Sequence, residues 1–198
     1  MTTGAGKAAT ESGPVTTIKL KPTELTPENF EPYGQIVGPT DDGKEFDSTD
    51  AQLDFSHGVP RFYIMHLEDR KSLRFGDITH HASVSQCLGS VGAQSWYLAV
   101  APASIVQTTG ETDNSGVNSV RSKAGHNYLP PSPDDVRVFR VDGPHFLKLH
   151  AGTWHVGPFF TPDWMDFYNL ELSDTNVVDH TRHVFRVEDK VVFEIDDL

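Results

Sequence analysis

The fold class of this chain is decided by the stretch Gly143-Pro-His-Phe-Leu-Lys-Leu-His150-Ala-Gly-Thr-Trp-His155-Val-Gly-Pro158. Apolar and polar residues alternate through residues 145–150, which is typical of a half-buried β-strand. Ala151-Gly152-Thr153 then predicts a bend. His150 and His155 lie on either side of this bend, and imidazoles in such positions can converge inside a barrel. The stretch is therefore predicted to supply one half of an active site.

The composition predicts a single globular domain with an acidic surface. The 198 residues include 16 Lys and Arg against 28 Asp and Glu, which gives a net charge of −12. Such a surface repels phosphate backbones and anionic membranes, so neither nucleic acid nor a membrane is expected as a partner. A small-molecule substrate is compatible with it, even an anionic one, because a local cluster of Arg, His or a metal ion can override the global field.

The cysteine content and the N-terminus bear on the compartment. Cys87 is the single cysteine, so no intramolecular disulfide can form. No apolar run approaches the ~18 residues of a membrane span. The N-terminal segment is rich in Gly, Ala, Ser and Thr and lacks the apolar core of a secretory signal. We therefore expect a cytoplasmic protein.

The order of the segments predicts an all-β domain preceded by a tail. Residues 1–17 are expected to be disordered, and residues 18–198 to form one domain with a long loop at 108–135. Thr26 is a predicted N-cap with Pro27 at the first helical position, so a short helix should begin there. Glu188-Asp189 predicts the turn of a closing hairpin. Alternating segments predict strands at 61–67, 73–79, 94–101, 136–141, 145–150, 165–172, 182–187 and 190–195.

Two segments resemble the site motifs of the cupins, which are double-stranded β-helix proteins. His150-Ala-Gly152-Thr-Trp-His155 is similar to the second cupin motif, P-x-G-x-x-H, with His in place of Pro. The segment from Gly76 to Gly92 is similar to the first motif, with the adjacent histidines His80 and His81 for H-x-H and with Gln86 where a Glu is expected. The resemblance implies a cupin-like antiparallel barrel with a short N-terminal helix.

These motifs suggest a metal site whose candidate ligands are His80, His81, Gln86, His150 and His155. Imidazole binds Zn, Ni, Fe and Cu well, whereas a neutral amide is a poor ligand. Successive side chains on a strand point to opposite faces, so only one of His80 and His81 is expected to face the site. The alternative is that these histidines form hydrogen bonds in the mouth of a polar barrel.

The segment Met165-Asp166-Phe167-Tyr168-Asn169-Leu170-Glu171 places polar groups among large apolar residues. In a strand of period two, Phe167, Asn169 and Glu171 share one face, and Asp166 lies on the other. A carboxylate inside a barrel can act as a general base or acid, and only one of Asp166 and Glu171 can point inward. The alternative is that both are surface charges.

A family resemblance extends over both ends of the chain. The residues from His150 to Trp154-His155 and Pro158, with Pro133-Asp134, Arg137-Val-Phe139 and Gly143 before them, are similar to the C-terminal half of the ureidoglycolate lyase family. The segment Phe30-Glu-Pro-Tyr33-Gly34-Gln-Ile36-Val37 resembles the beginning of family members. Residues 84–90 differ, because the family carries an acidic-basic-His-Pro segment there.

The resemblance implies a homodimeric enzyme that releases urea from (S)-ureidoglycolate to leave glyoxylate, a step in allantoin and purine-nitrogen breakdown. His150 and His155 would transfer protons or hold a divalent metal such as Ni, Mn or Zn. The substrate carboxylate requires a cation, for which Arg137 and Arg61 are candidates; Trp154 and Gln86 are further candidate substrate contacts. The alternative is a non-catalytic or differently specific cupin that binds a small metabolite or a partner.

Overall fold

A computed structural model describes residues 13–106 and 119–197. In these ranges the chain forms short helices at α1 (Pro27–Phe30), α2 (Thr175–Val178) and α3 (Phe185–Glu188) and a 3₁₀ turn at Pro133–Asp135. The strands are β1 (Thr16–Leu20), β2 (Thr23–Glu24), β3 (Gly34–Val37), β4 (Pro60–Glu68), β5 (Arg74–Phe75), β6 (Ile78–His80), β7 (Gln86–Ser90), β8 (Trp96–Ala101), β9 (Ile105–Val106), β10 (Val120–Arg121), β11 (Asn127–Tyr128), β12 (Arg137–Val141), β13 (Phe146–Leu149), β14 (Trp154–Phe159), β15 (Trp164–Leu172), β16 (Thr181–His183) and β17 (Val191–Ile195).

The strands are arranged in four sheets. The largest has the order β16-β6-β14-β8-β12-β2, and the second has the order β3-β13-β7-β15-β4. Two small sheets have the orders β1-β17-β5 and β10-β11-β9. Strand pairs are antiparallel except β1 with β17 and β2 with β12. The all-β class is therefore confirmed, but none of these sheets closes on itself within the described ranges, so the predicted closed barrel is not formed by a single sheet.

The six-stranded sheet lies between two hydrophobic cores, and the two faces of its strand β8 pack into different cores. Its residues Trp96, Leu98 and Val100 pack into the core shared with the five-stranded sheet. The alternate residues Tyr97, Ala99 and Ala101 pack into the core shared with β5, α3 and β17. Every residue of β8 is buried, as expected for a central strand covered on both faces.

Local sequence signals explain the elements that were predicted correctly. The Thr26 side chain accepts a hydrogen bond from the backbone of Asn29, and Pro27 is the first residue of α1, as predicted. The alternating segment at 165–172 forms β15, in which Phe167, Asn169 and Glu171 are buried. The predicted strands at 61–67, 94–101, 136–141, 145–150 and 190–195 are also present, with small shifts at their ends.

Other predictions were wrong. The strand predicted at 182–187 ends at His183, and Phe185 begins α3 instead. The predicted closing hairpin is absent, because β17 pairs with β1 and β5 rather than with the strand before it. The strand predicted at 73–79 is divided into β5 and β6, which belong to different sheets.

The predicted tail and loop lie partly outside the described residues. Residues 1–12 of the tail fall outside, and Thr16 already begins β1. Residues 108–118 of the loop also fall outside, whereas residues 119–135 contain β10, β11 and the 3₁₀ turn. No helix in the described part of the chain is long and apolar enough to cross a membrane.

Candidate functional site

A cavity of about 180 Å³ lies between the six-stranded and five-stranded sheets. The first sheet contributes Thr79 of β6, Leu98 of β8 and the residues 155–158 of β14. The second contributes side chains of β4, β7 and β15, namely Tyr63, Met65, Gln86, Leu88, Asn169 and Glu171. His81, Asn176 and His180 complete the lining from the connecting segments. The cavity thus combines imidazoles, a carboxylate and amides.

Three imidazoles lie together on one side of this cavity. The ring centroid of His81 is 5.3 Å from that of His155 and 5.6 Å from that of His180. His81 Nδ1 donates a hydrogen bond to the carbonyl oxygen of Asp179 at 2.5 Å, and His155 Nδ1 donates to that of Thr153 at 3.0 Å. A carbonyl can only accept, so in the neutral rings the hydrogen is on Nδ1 and Nε2 keeps a free lone pair.

The turn that carries His81 is fixed by a buried carboxylate. The Asp179 side chain accepts hydrogen bonds from the backbone amides of Ala82 at 3.0 Å and Ser83 at 2.7 Å. The same residue offers its carbonyl oxygen to His81. Asp179 is therefore a positioning residue, because it sets both the backbone and the ring orientation at His81.

Burial favours the neutral form of two of these imidazoles, His155 and His180. Desolvation, assisted by the neighbouring His81, lowers the pKa of His155 to about 3. Desolvation also lowers the pKa of His180, with further contributions from His81 and Arg182. Both shifts favour His155 and His180 as lone-pair donors rather than cations.

The opposite side of the cavity is organised around Glu171, which is 1% exposed. Gln86 Nε2 donates to one carboxylate oxygen at 3.2 Å. The Tyr63 hydroxyl and Asn176 Nδ2 each donate to the other oxygen at 3.4 Å, and Arg61 Nη1 lies 3.8 Å from it. The carboxylate is therefore held in place by four surrounding side chains.

Amide groups extend this network. Asn169 Nδ2 donates to the Tyr63 hydroxyl at 3.1 Å, and Gln86 Nε2 also lies 3.3 Å from Asn169 Oδ1. Gln86 Oε1 is buried without a hydrogen-bond partner. Buried polar atoms are normally paired, so this oxygen is available to accept a hydrogen bond from a molecule in the cavity.

The cavity presents histidine nitrogens and an amide oxygen, which are atoms of the kinds that bind metal ions. In the described ranges, no three His, Cys, Asp or Glu side chains are grouped to hold a metal ion. His81 and His155 nevertheless present free Nε2 atoms while their Nδ1 atoms donate to carbonyls, as metal-binding histidines commonly do. Gln86 Oε1 is the third available donor, and a neutral amide makes such a site weak.

The structure brings together four of the residues predicted for the site. His155, His81, Gln86 and Glu171 all line the cavity. Arg61 lies at its edge, beside Glu171, with its guanidinium 3.8 Å from the centre of the Tyr63 ring.

The two residues predicted with His81 and His155 from the same motifs lie on the opposite face of the six-stranded sheet. His80 is fully buried, with its ring 4.0 Å from the Trp154 ring and its Nε2 2.9 Å from Nε2 of His126. Trp154 Nε1 donates to the Ser104 hydroxyl at 2.9 Å. Alternation along β6 and β14 separates both residues from the cavity, so neither contributes to its lining.

The other predicted residues are also outside the cavity. The His150 Nε2 atom lies 3.1 Å from the carbonyl oxygen of Glu31, and Asp166 is paired with His66 at 2.6 Å on the outer face of β15. Arg137 donates to two backbone carbonyl oxygens, those of Asp134 and Val136.

Sequence reasoning missed several residues of the cavity. Asn169 shares a face with Glu171 by simple alternation, so its position was visible in the sequence although its role was not assigned. Tyr63 lies on the partner strand, opposite Asn169 in the β4–β15 register, which no local pattern reveals. His180 precedes β16, whose pairing with β6 brings it beside His81.

A scan of the chain against models of protein families finds no match, and a search of curated proteins finds none either. The case for a function therefore rests on the chemistry of the cavity and on the motifs that supply its residues.

Proposed function

We propose that this protein is a cupin-like enzyme of the ureidoglycolate lyase type, which releases urea from (S)-ureidoglycolate and leaves glyoxylate. The observation that carries the proposal is a small polar cavity in which imidazoles face a buried carboxylate. Breaking a carbinolamine-type C–N bond requires that a proton is taken from the hydroxyl group and that a proton is given to the leaving nitrogen. One imidazole can do both in turn.

His155 is the residue that we assign to proton transfer. Its Nε2 lone pair accepts the proton of the carbinol hydroxyl, and the O–H electron pair becomes the new C=O bond. The electron pair of the C–N bond passes to the ureido nitrogen, which takes the proton back from the imidazolium. Burial lowers the pKa of His155 to about 3, so the ring begins the reaction neutral, and the imidazolium that it forms readily returns the proton to the leaving nitrogen.

The carboxylate side of the cavity holds the ureido group. The Glu171 carboxylate and the unpaired Gln86 Oε1 can both accept hydrogen bonds from the N–H groups of a ureido substrate. Tyr63 and Asn169 keep these two side chains in place through their own hydrogen bonds. This arrangement favours a substrate with an amide-like group over a purely apolar one.

A divalent metal is an alternative use of the same atoms. His81, His155 and Gln86 would hold it, and it would polarise a substrate oxygen as a Lewis acid, in place of proton transfer by His155 Nε2. The Asp179 and Thr153 carbonyls orient the two imidazoles whether or not a metal binds.

The proposal is tested by incubating the purified protein with (S)-ureidoglycolate and measuring urea and glyoxylate separately. We expect the two products in equal amounts, above the rate of spontaneous decay. The assay is run with chelator and with Ni²⁺, Mn²⁺ or Zn²⁺ added. Release of neither product under any of these conditions contradicts the proposal, and ligand binding without turnover then favours a metabolite-binding cupin.

We also propose that the protein is a homodimer that pairs through β4. This nine-residue strand is the edge of the five-stranded sheet, and its outer face exposes Phe62 and Ile64. Trp164 on β15 extends the same apolar surface. A second copy pairing along this edge would cover both the unpaired backbone and the apolar side chains.

A further inference from the structure

A second pocket, of about 430 Å³, adjoins the cavity on the protein surface. It lies between β10, the turn that follows it, and β16, and His180 lines both this pocket and the cavity. The residues that line it are Arg121, Ser122, Lys123, Tyr128, His180, Thr181 and Arg182. The two pockets therefore meet at His180, beside the edge strand β16, and the second pocket is called the vestibule.

The vestibule has the opposite charge to the protein as a whole. Of its seven described lining residues, Arg121, Lys123 and Arg182 are cations and none is a carboxylate. The chain carries a net charge of −12, so a surface pocket of this composition is a local exception. Arg182 Nε donates to Asp77 at 2.8 Å, which holds its guanidinium in place at the rim.

The other cations near the cavity are already engaged. Arg61 lies against Glu171 and the Tyr63 ring, and Arg137 donates to backbone carbonyls on another part of the surface. A substrate with a carboxylate needs a cation that is not neutralised at short range. Arg121 and Lys123 place positive charge in the vestibule, which shares the residue His180 with the cavity.

We infer that this vestibule is an anion-binding subsite that captures the carboxylate of the substrate at the mouth of the cavity, and that it selects anionic over neutral ureido or hydroxy compounds. A concave surface lined by one sign of charge concentrates ligands of the opposite sign, and Arg is suited to bidentate binding of a carboxylate. The inference rests on the proposed function only in taking the cavity as the reacting site. The hydroxyl groups of Ser122 and Tyr128 supply further hydrogen bonds.

The subsite is tested by calorimetric titration with oxamate, an anion that combines a carboxylate with an amide, and with the neutral compound oxamide. The native protein is compared with the double variant Arg121→Gln, Lys123→Gln. The control is Arg70→Gln, Lys21→Gln, which removes the same charge from exposed residues on other loops. Circular dichroism and melting temperatures establish that all three proteins are folded.

We expect oxamate to bind the native and control proteins equally, to bind the vestibule variant at least ~10-fold more weakly, and to lose affinity with added salt. Oxamide should bind all three proteins with the same affinity. Equal oxamate affinity in the vestibule and control variants, or no oxamate binding to the native protein, overturns the inference. Binding is measured without turnover, so a protein that binds oxamate as expected but releases no urea contradicts the proposed function and leaves the subsite standing.

Discussion

Glu171 supplies the only carboxylate among the residues that line the cavity in the described ranges. Its role can be tested by replacing one carboxylate oxygen with an amide nitrogen. Glu171→Gln keeps the size of the side chain but removes the charge that accepts from Gln86, Tyr63 and Asn176. We expect kcat/KM for ureidoglycolate to fall by about 100-fold or more, because a general acid–base or orienting group contributes on that scale. Steady-state urea release provides the measurement.

Asp166→Asn is the matched control for this substitution. Asp166 lies on the same strand but on its outer face, paired with His66. We expect this variant to retain the native rate, so equal losses in the two variants would contradict the assignment of the cavity.

The buried His80 side chain should make the stability of the protein depend on pH. Burial lowers the pKa of this fully buried ring to about 3, below its ordinary value of 6.5. Between these two values the unfolded chain binds the proton and the folded chain does not, so the free energy of unfolding falls as the pH falls. The limiting slope is about 1.4 kcal/mol per pH unit for one histidine. His155, whose pKa is lowered in the same direction, adds to the effect.

Urea unfolding between pH 6.5 and pH 5 tests this linkage by comparing the native protein with His80→Gln. The slope of stability against pH should become shallower in the variant, whatever its absolute stability. An unchanged slope would show that His80 does not resist protonation in the folded state.

Individual site residues were predictable to different degrees. His155 could be assigned from a spacing motif, whereas period two limited the inward carboxylate to one of Asp166 and Glu171 without deciding between them. Lys148 is less predictable: a long cationic side chain is usually exposed, yet Lys148 is 5% exposed, and desolvation lowers its pKa. Its Nζ lies 3.1 Å from Nδ1 of His150, which follows two residues later and so shares its face by alternation.

At the level of elements, the pairing of β3 with β13 depends on Gly34. A Cβ at this position would lie 2.0 Å from the carbonyl oxygen of Lys148, and a backbone atom cannot move aside at low cost. We expect Gly34→Ala to destabilise the protein by about 2–4 kcal/mol, in the range of severe overpacking. Chemical denaturation measures the change.

Gly13→Ala is the control, because a Cβ there meets nothing within 4 Å. This variant should have native stability. Native stability in Gly34→Ala as well would show that β3 can move away from β13 without loss.

The elements that sequence reasoning predicted are those with alternating patterns, and the failures have a common physical cause. β7 is buried along nearly its whole length in the middle of the five-stranded sheet, so it carries no alternation to detect. The parallel pairing of β1 with β17 joins the two ends of the described chain, and no local sequence pattern indicates a pairing over such a distance. The hairpin prediction failed for the same reason.

At the level of the whole molecule, the proposed dimer has a direct test. Ile64 on the outer face of β4 is 57% exposed in the single chain. Ile64→Asp would place a charge at the centre of the proposed interface, so we expect sedimentation equilibrium to change from twice the 21.9 kDa chain mass to the chain mass itself. Val187→Asp, on the exposed part of α3, is the control and should remain dimeric. A native protein that sediments as a monomer contradicts the proposal.

We propose that urea is released from ureidoglycolate in the cavity bounded by His155 and Glu171. The most direct test measures urea release by the native protein, by His155→Gln and by His150→Gln under identical conditions. His155 lines the cavity, whereas His150 lies outside it and contacts the Glu31 carbonyl oxygen. We predict that His155→Gln loses about 100-fold or more of the native kcat/KM while His150→Gln retains it. Native activity in His155→Gln, or an equal loss in both variants, would contradict the account.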